Sequence, residues 1–122
     1  MEKQQFEELV IKAVEELPGE FQQKLENVDI IVEDWPSDQQ LKKTGLKHRL
    51  QLMGLYEGVP QTKRAISYNL VLPDKITIFK RPIEDRCSSY REIQIAIREV
   101  VLHEIAHHFG ISDQRLKELG DK

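Results

Sequence analysis

The run from Tyr90 to Phe109 sets the strongest limit on what this chain can fold into. Its apolar residues, from Ile93 through Ile97, Val101 and Ile105 to Phe109, fall at helical spacing and surround almost the whole circumference of the wheel. A helix apolar on so many sides has to be enclosed by the rest of its domain, so this one is the expected centre of the core. Both ends are written locally. Ser89 and Glu92 have the spacing of a capping box, which starts the helix at Tyr90. Gly110 supplies the left-handed residue that stops it.

Around that helix the sequence predicts an α+β layout within a single domain spanning residues 1–122. Phe6, Leu9, Val10, Ala13, Val14 and Leu17 recur at helical spacing until Pro18-Gly19 ends the run. This is an amphipathic opening helix with its glutamates in water. "VDIIVED" (Val28 to Asp34) is a short β-branched run bounded by Trp35-Pro36, and reads as a strand. "LMGLYEG" (Leu52 to Gly58) reads as a second strand. "KITIFKR" (Lys75 to Arg81), opened by Pro73-Asp74 and closed by Pro82, reads as a third. "RAISYNLVL" (Arg64 to Leu72) fits a strand or a covering loop equally well. "SDQQLKKTGLKHR", after the first strand, reads as a polar connection.

Charge and composition narrow the class. The net charge of −3 gives no reason to expect nonspecific attraction to nucleic acid or to an anionic membrane. No stretch approaches the length of a bilayer span. "MEKQQFEELVIKAVEELPGEF" has glutamates where the basic region of a signal peptide belongs, and no continuous apolar segment. The single cysteine, Cys87, can form no internal disulfide and reads as a small, partly buried hydrophobe. A cytoplasmic protein with no nucleic-acid or membrane partner is the expectation.

The central helix also carries polar residues that a core helix does not need. "VVLHEIAHHFGISD" (Val100 to Asp113) holds three of the four histidines. His103 and His107 lie one turn apart on one face, with about 6 Å between Cβ atoms. At that separation two imidazoles converge on one ion, at Zn–N distances of about 2.0–2.1 Å. Glu104 follows the first histidine, as in the HExxH arrangement, where the glutamate is a base and not a ligand. Gly110 breaks the helix so that the chain folds back beneath the ion, and Asp113 then offers a third ligand. Glu118 is too close for the alternative geometry, a glutamate on a following helix. Each residue also has a plainer reading. The histidines would be core residues satisfied by hydrogen bonds, and Ser112 or Asp113 would cap a short helix over "SDQRLKEL". His108 sits about 100° round from His107, away from the metal face. His48, beside Arg49 in the polar connection, reads as exposed.

"GLYEGVP", "LPDKITIFKRPIE" and "VVLHEIAHHFGISDQRL", in that order, resemble the small single-domain bacterial zincin-like metallopeptidases, often described as minimal metalloproteases. The resemblance runs from about Val28 to the C-terminus, and its last motif is the most specific. It implies a zincin-type α+β fold in which a small mixed sheet packs on helices. It also implies His103, His107 and Asp113 as zinc ligands, with Glu104 as the catalytic base. Larger metzincins share the spacing, with histidine in place of Asp113. Yet the only methionines, Met1 and Met53, precede the helix, so no Met-turn follows it. A shallow, open site is expected.

Such a site would hydrolyse a peptide bond in an unstructured substrate, with Glu104 taking a proton from water and returning it to the leaving amine. A strand near the site would hold the peptide by backbone hydrogen bonds, and Ile76 to Lys80 is the candidate. Tyr56, Tyr68, Tyr90 and His48 are the candidates for a second oxyanion donor. Two other functions compete. A metal-dependent endoribonuclease of the rRNA-processing type has glycine after its first motif histidine, where this chain has Glu104, and its RNA substrate suits a basic protein. A non-catalytic metal-binding interaction module would need no base at Glu104, and closed structural zinc sites often use thiolates that one cysteine cannot supply.

Overall fold

The structure, a computed structural model, describes residues 1–59 and 72–120, apart from the side chains of Asp113, Leu116 and Leu119. Of the stretch Arg64 to Leu72, read from the sequence as strand or covering loop, all but Leu72 lies outside the described residues. The first helix, α1 (Lys3–Glu15), buries Phe6, Val10 and Ala13 along one stripe. Pro18 does more than end the run, because it caps a second short helix, α2 (Gly19–Lys24). Proline's fixed φ and missing N–H cost nothing at a helix start. Leu17 and Phe21 are both buried across this corner.

Strand β1 (Val28–Glu33) follows, where the β-branched run placed it. The connection after it is not all loop, for α3 (Asp38–Thr44) lies within it. Ser37 and Gln40 form a reciprocal capping box at its start, and Gly45 ends it at φ 75°. A 3-10 turn (Arg49–Gln51) leads into β2 (Gly54–Glu57). Next come β3 (Asp74–Phe79), α4 (Lys80–Arg86), the long α5 (Tyr90–Phe109) and α6 (Asp113–Gly120). Pro82 therefore does not close a strand that runs to Arg81. It sits in the first turn of α4, where a helix makes no use of its missing N–H.

Among the described residues the sheet has three strands in the order β1-β3-β2. β1 runs parallel to β3, in the register Val28↔Asp74 to Glu33↔Phe79. β2 runs antiparallel to β3, from Gly54↔Ile78 to Glu57↔Lys75. The expected small mixed sheet is present, but the strand expected to receive a substrate is its middle one. Ile76 to Phe79 have both edges taken by neighbours, and Lys80 is already helical, so this segment has no backbone groups to offer. The edge beside α5 is β2.

Helix α5 lies between α1 and the sheet. Phe6, Val10 and Ala13 from α1 join Val32, Ile76 and Ile78 from the sheet in one buried cluster, with Ile97, Val101 and Ile105 between them. The enclosure expected from the sequence holds for most of the helix. It fails along one stripe, where Ile95 keeps 44% of its surface exposed.

Local chemistry fixes both ends of α5. Ser89 Oγ accepts the N–H of Glu92 at 3.2 Å. The Glu92 carboxylate does not close the box on Ser89. It accepts the Ser88 N–H at 2.7 Å instead, so half of the expected motif forms. At the other end Gly110 takes φ 69°, ψ 31°, and the Ile111 N–H reaches back to the Ala106 carbonyl at 2.9 Å. Ile111 then packs on the core, as the residue after a left-handed cap often does.

Gly54 lets β2 approach this helix closely. A Cβ there would overlap Val100 Cγ1 and stand 3.4 Å from the Thr77 carbonyl oxygen.

Candidate active site

Glu92, Ile95, Ala96, Glu99, Val100, His103, Glu104 and His107 follow one another along α5 in steps that keep to one face. That stripe is one wall of a cavity of about 620 Å³. Gln51 to Gly54, on the way into β2, and Arg86 with Cys87, at the end of α4, form the others. The face left open by the core packing is thus the face that carries the HExxH residues.

His103, Glu104 and His107 line this cavity together, as their spacing predicts. Both histidines are exposed and Glu104 is half-buried. His103 Nδ1 lies 2.8 Å from the Glu99 carbonyl oxygen. A carbonyl can only accept, so Nδ1 donates and the neutral ring keeps its lone pair on Nε2. Backbone bonds of this kind orient metal-ligating histidines. Burial pushes the Glu104 carboxyl above the usual carboxylate range, and the nearby His107 and His103 rings draw it partly back. A carboxylate raised in this way is a better proton acceptor than one in open water.

Two imidazoles one turn apart form a donor pair suited to zinc, with Glu104 beside it as a base. Among the described residues no group of three His, Cys, Asp or Glu side chains could hold an ion, and the side chain of Asp113 lies outside them. The backbone carries Asp113 to the first position of α6, directly beyond the Gly110 reversal. Ser112 Oγ accepts the Arg115 N–H at 3.2 Å, so the capping role that competed for Asp113 is filled by its neighbour. Arg115 also holds α6 to α2 through Glu20, at 3.1 Å, and its other nitrogen faces Glu118 at 3.5 Å.

His108 lies off the cavity, as its angle on the wheel predicts, and stacks on Tyr56. None of the described candidates for a second oxyanion donor is brought to the site. The Tyr56 hydroxyl donates to Asp74 Oδ2 at 2.7 Å. Tyr90 stands at the far end of α5, about 20 Å along the helix from His103. His48 caps the 3-10 turn, where its Nδ1 accepts the Leu50 N–H. Tyr68 lies outside the described residues. Gln51 and Arg86 are the side-chain donors that do line the cavity, and sequence reasoning missed both. They arrive from distant elements, and no local pattern announces them. Cys87 also reaches the wall, but burial first and Glu92 second push its thiol up, which leaves it a protonated hydrophobe.

A family model described as zincin-like metallopeptidase matches residues 25–121, from just before β1 through α6. The chain belongs to the zincin-like metallopeptidase family. No curated protein sequence matches it. Zinc dependence is a general property of zincins, and this zincin has the α+β architecture expected from its sequence. Among its described residues no helix is long and apolar enough to cross a membrane.

Proposed function

We propose that this chain is a zinc-dependent peptidase acting on unstructured peptide segments, with His103, His107 and Asp113 as metal ligands and Glu104 as general base. The observation that carries the reading is the meeting of His103, Glu104 and His107 on one cavity wall, with His103 oriented through Nδ1. A bound zinc ion would supply Lewis acidity, acidifying water and drawing charge from the scissile carbonyl.

The rest of the chemistry belongs to the chain. Glu104, half-buried and raised in pKa, accepts a proton from the attacking water and passes it to the leaving amine. Among the described residues the outer edge of β2 pairs with no strand; β2 lies beside the same helix, and that edge would offer backbone groups to an extended peptide. Gly54, in contact with Val100, holds that edge against the helix. Arg86 and Gln51 are side-chain donors on the walls of the same cavity.

Metal analysis of the purified protein, with Glu104→Ala and Asp113→Ala variants assayed on unstructured peptides, tests the reading. Glu104→Ala should retain zinc and lose turnover, and Asp113→Ala should lose zinc. Peptide cleavage undiminished in both variants would falsify the mechanism. Cleavage of RNA alone would give the site to a nuclease.

A further inference from the structure

Behind the cavity, the last turn of α5 rests on an aromatic support. The rings of Tyr56 and His108 stack with centroids 3.9 Å apart and planes 16° from parallel. Phe109 meets both edge-on, at 6.3 Å from Tyr56 and 4.9 Å from His108. Tyr56 is itself braced. Its hydroxyl donates to Asp74 Oδ2 at 2.7 Å, while Asp74 Oδ1 accepts the Val59 N–H at 2.8 Å. Asp74 Oδ2 also stands 3.9 Å from His108 Nε2. The edge strand, the first residue of β3 and the end of α5 therefore meet in one cluster.

The last turn needs such a support. His107, His108, Phe109 and Gly110 are all exposed, and the final carbonyls of a helix lack partners within it. A turn of this kind opens at little free-energy cost. His107 is part of it, and an imidazole that ligates a metal must be held to within about 0.5 Å.

We infer that Tyr56, braced by Asp74, is a positioning residue: it clamps His108 and so keeps the last helical turn closed with His107 facing the cavity beside His103. Tyr56 is not a catalytic residue, since its hydroxyl is committed to Asp74 and its ring to His108. The inference rests on the reading of His107 as a metal ligand.

The test compares the parent with Tyr56→Ala, Tyr56→Phe and His108→Ala. Zinc affinity is measured by competition with a chelator, and amide exchange along α5 is followed in the metal-free protein. Tyr56→Ala and His108→Ala should weaken zinc binding by roughly 10–100-fold, the usual effect of removing a group that orients a ligand. Their exchange should accelerate in the last turn and stay slow near Ile97 and Val101. Tyr56→Phe keeps the stack and should recover most of the affinity. If Tyr56→Ala fails to fold, His108→Ala at its exposed position carries the test. Zinc affinity in the folded variants equal to that of the parent overturns the inference and leaves the peptidase reading standing. So does exchange accelerated along the whole helix, which marks a merely structural role. A parent protein that binds no zinc sinks both.

Discussion

His103 Nδ1 stands 2.8 Å from the carbonyl oxygen of Glu99, one helical turn earlier on α5. The contact is local, made within the helix that carries the motif, so it exists before any metal arrives. It settles which nitrogen faces the cavity. The neutral His103 ring of the metal-free protein should therefore be the Nδ1–H tautomer. Long-range proton–nitrogen correlation spectra distinguish the two nitrogens directly. A protonated Nε2 in the neutral ring would remove the pre-orientation on which the metal reading leans.

Asp74 should leave a signature in acid. The Val59 N–H first, then the Tyr56 hydroxyl, hold its carboxyl below the usual range, against the opposing effect of burial; the charge of His108 adds to the lowering. A carboxyl lowered in the folded state contributes stability that is present above its unfolded value and lost as pH falls through the folded value. The window for Asp74 therefore opens near its ordinary 3.8 and extends below it. Asp74→Asn should cost about 1.5–3 kcal/mol at neutral pH, the range for hydrogen bonds to a charged group. Its Tm should then fall less steeply than the parent's below about pH 4. Parallel acid limbs in the two proteins would show that the carboxylate does not act this way.

The contact between Gly54 and Val100 predicts an interaction between two substitutions. Gly54→Ala places a methyl against Val100 Cγ1, on a helical β-branched side chain with little rotamer freedom to yield. Overpacking of this kind costs about 1–3 kcal/mol. In a Val100→Ala background the overlap is gone and most of that penalty should vanish. A double-mutant cycle by urea denaturation measures the coupling. Additive losses would mean that β2 and α5 do not meet as described.

How much of this was legible in the sequence depends on how local each cause is. The limits of α5, its glycine stop and the pairing of His103 with His107 follow from spacing along one helix, and the structure has them as read. Helix α3 was missed because it buries no residue, so no apolar period marks it. Its Ser37–Gln40 box and Gly45 stop were the signal that remained. Helix α4 was hidden by Pro82, which reads as a terminator unless the helix has only just begun. Strand order is a property of distant pairings, so the middle place of β3 was the least accessible fact. The structure buries all four residues from Ile76 to Phe79, but Thr77 interrupts the apolar run, so the sequence did not declare a strand covered on both faces. The wheel of α5 could not show that Ile95 faces an opening, since a cavity is defined by elements that come from elsewhere.

Gly110 joins the helix that presents His103 and His107 to the one that begins at Asp113, and its φ of 69° is the reason for glycine. A Cβ at this position would meet nothing within 4 Å, so only backbone strain opposes a side chain there. Gly110→Ala should therefore cost about 1–2 kcal/mol, the price of the left-handed region for an ordinary residue. Gly110→Asn should cost less, because asparagine tolerates that region. Zinc retention discriminates further. If the reversal is what brings Asp113 to the metal, Gly110→Pro should lose zinc along with Asp113→Ala, while Gly110→Asn keeps it. Proline fixes φ near −65° and cannot adopt the turn at all. A Gly110→Pro protein that folds and binds zinc as tightly as the parent would remove Asp113 from the ligand set, since the turn that carries it would then be dispensable.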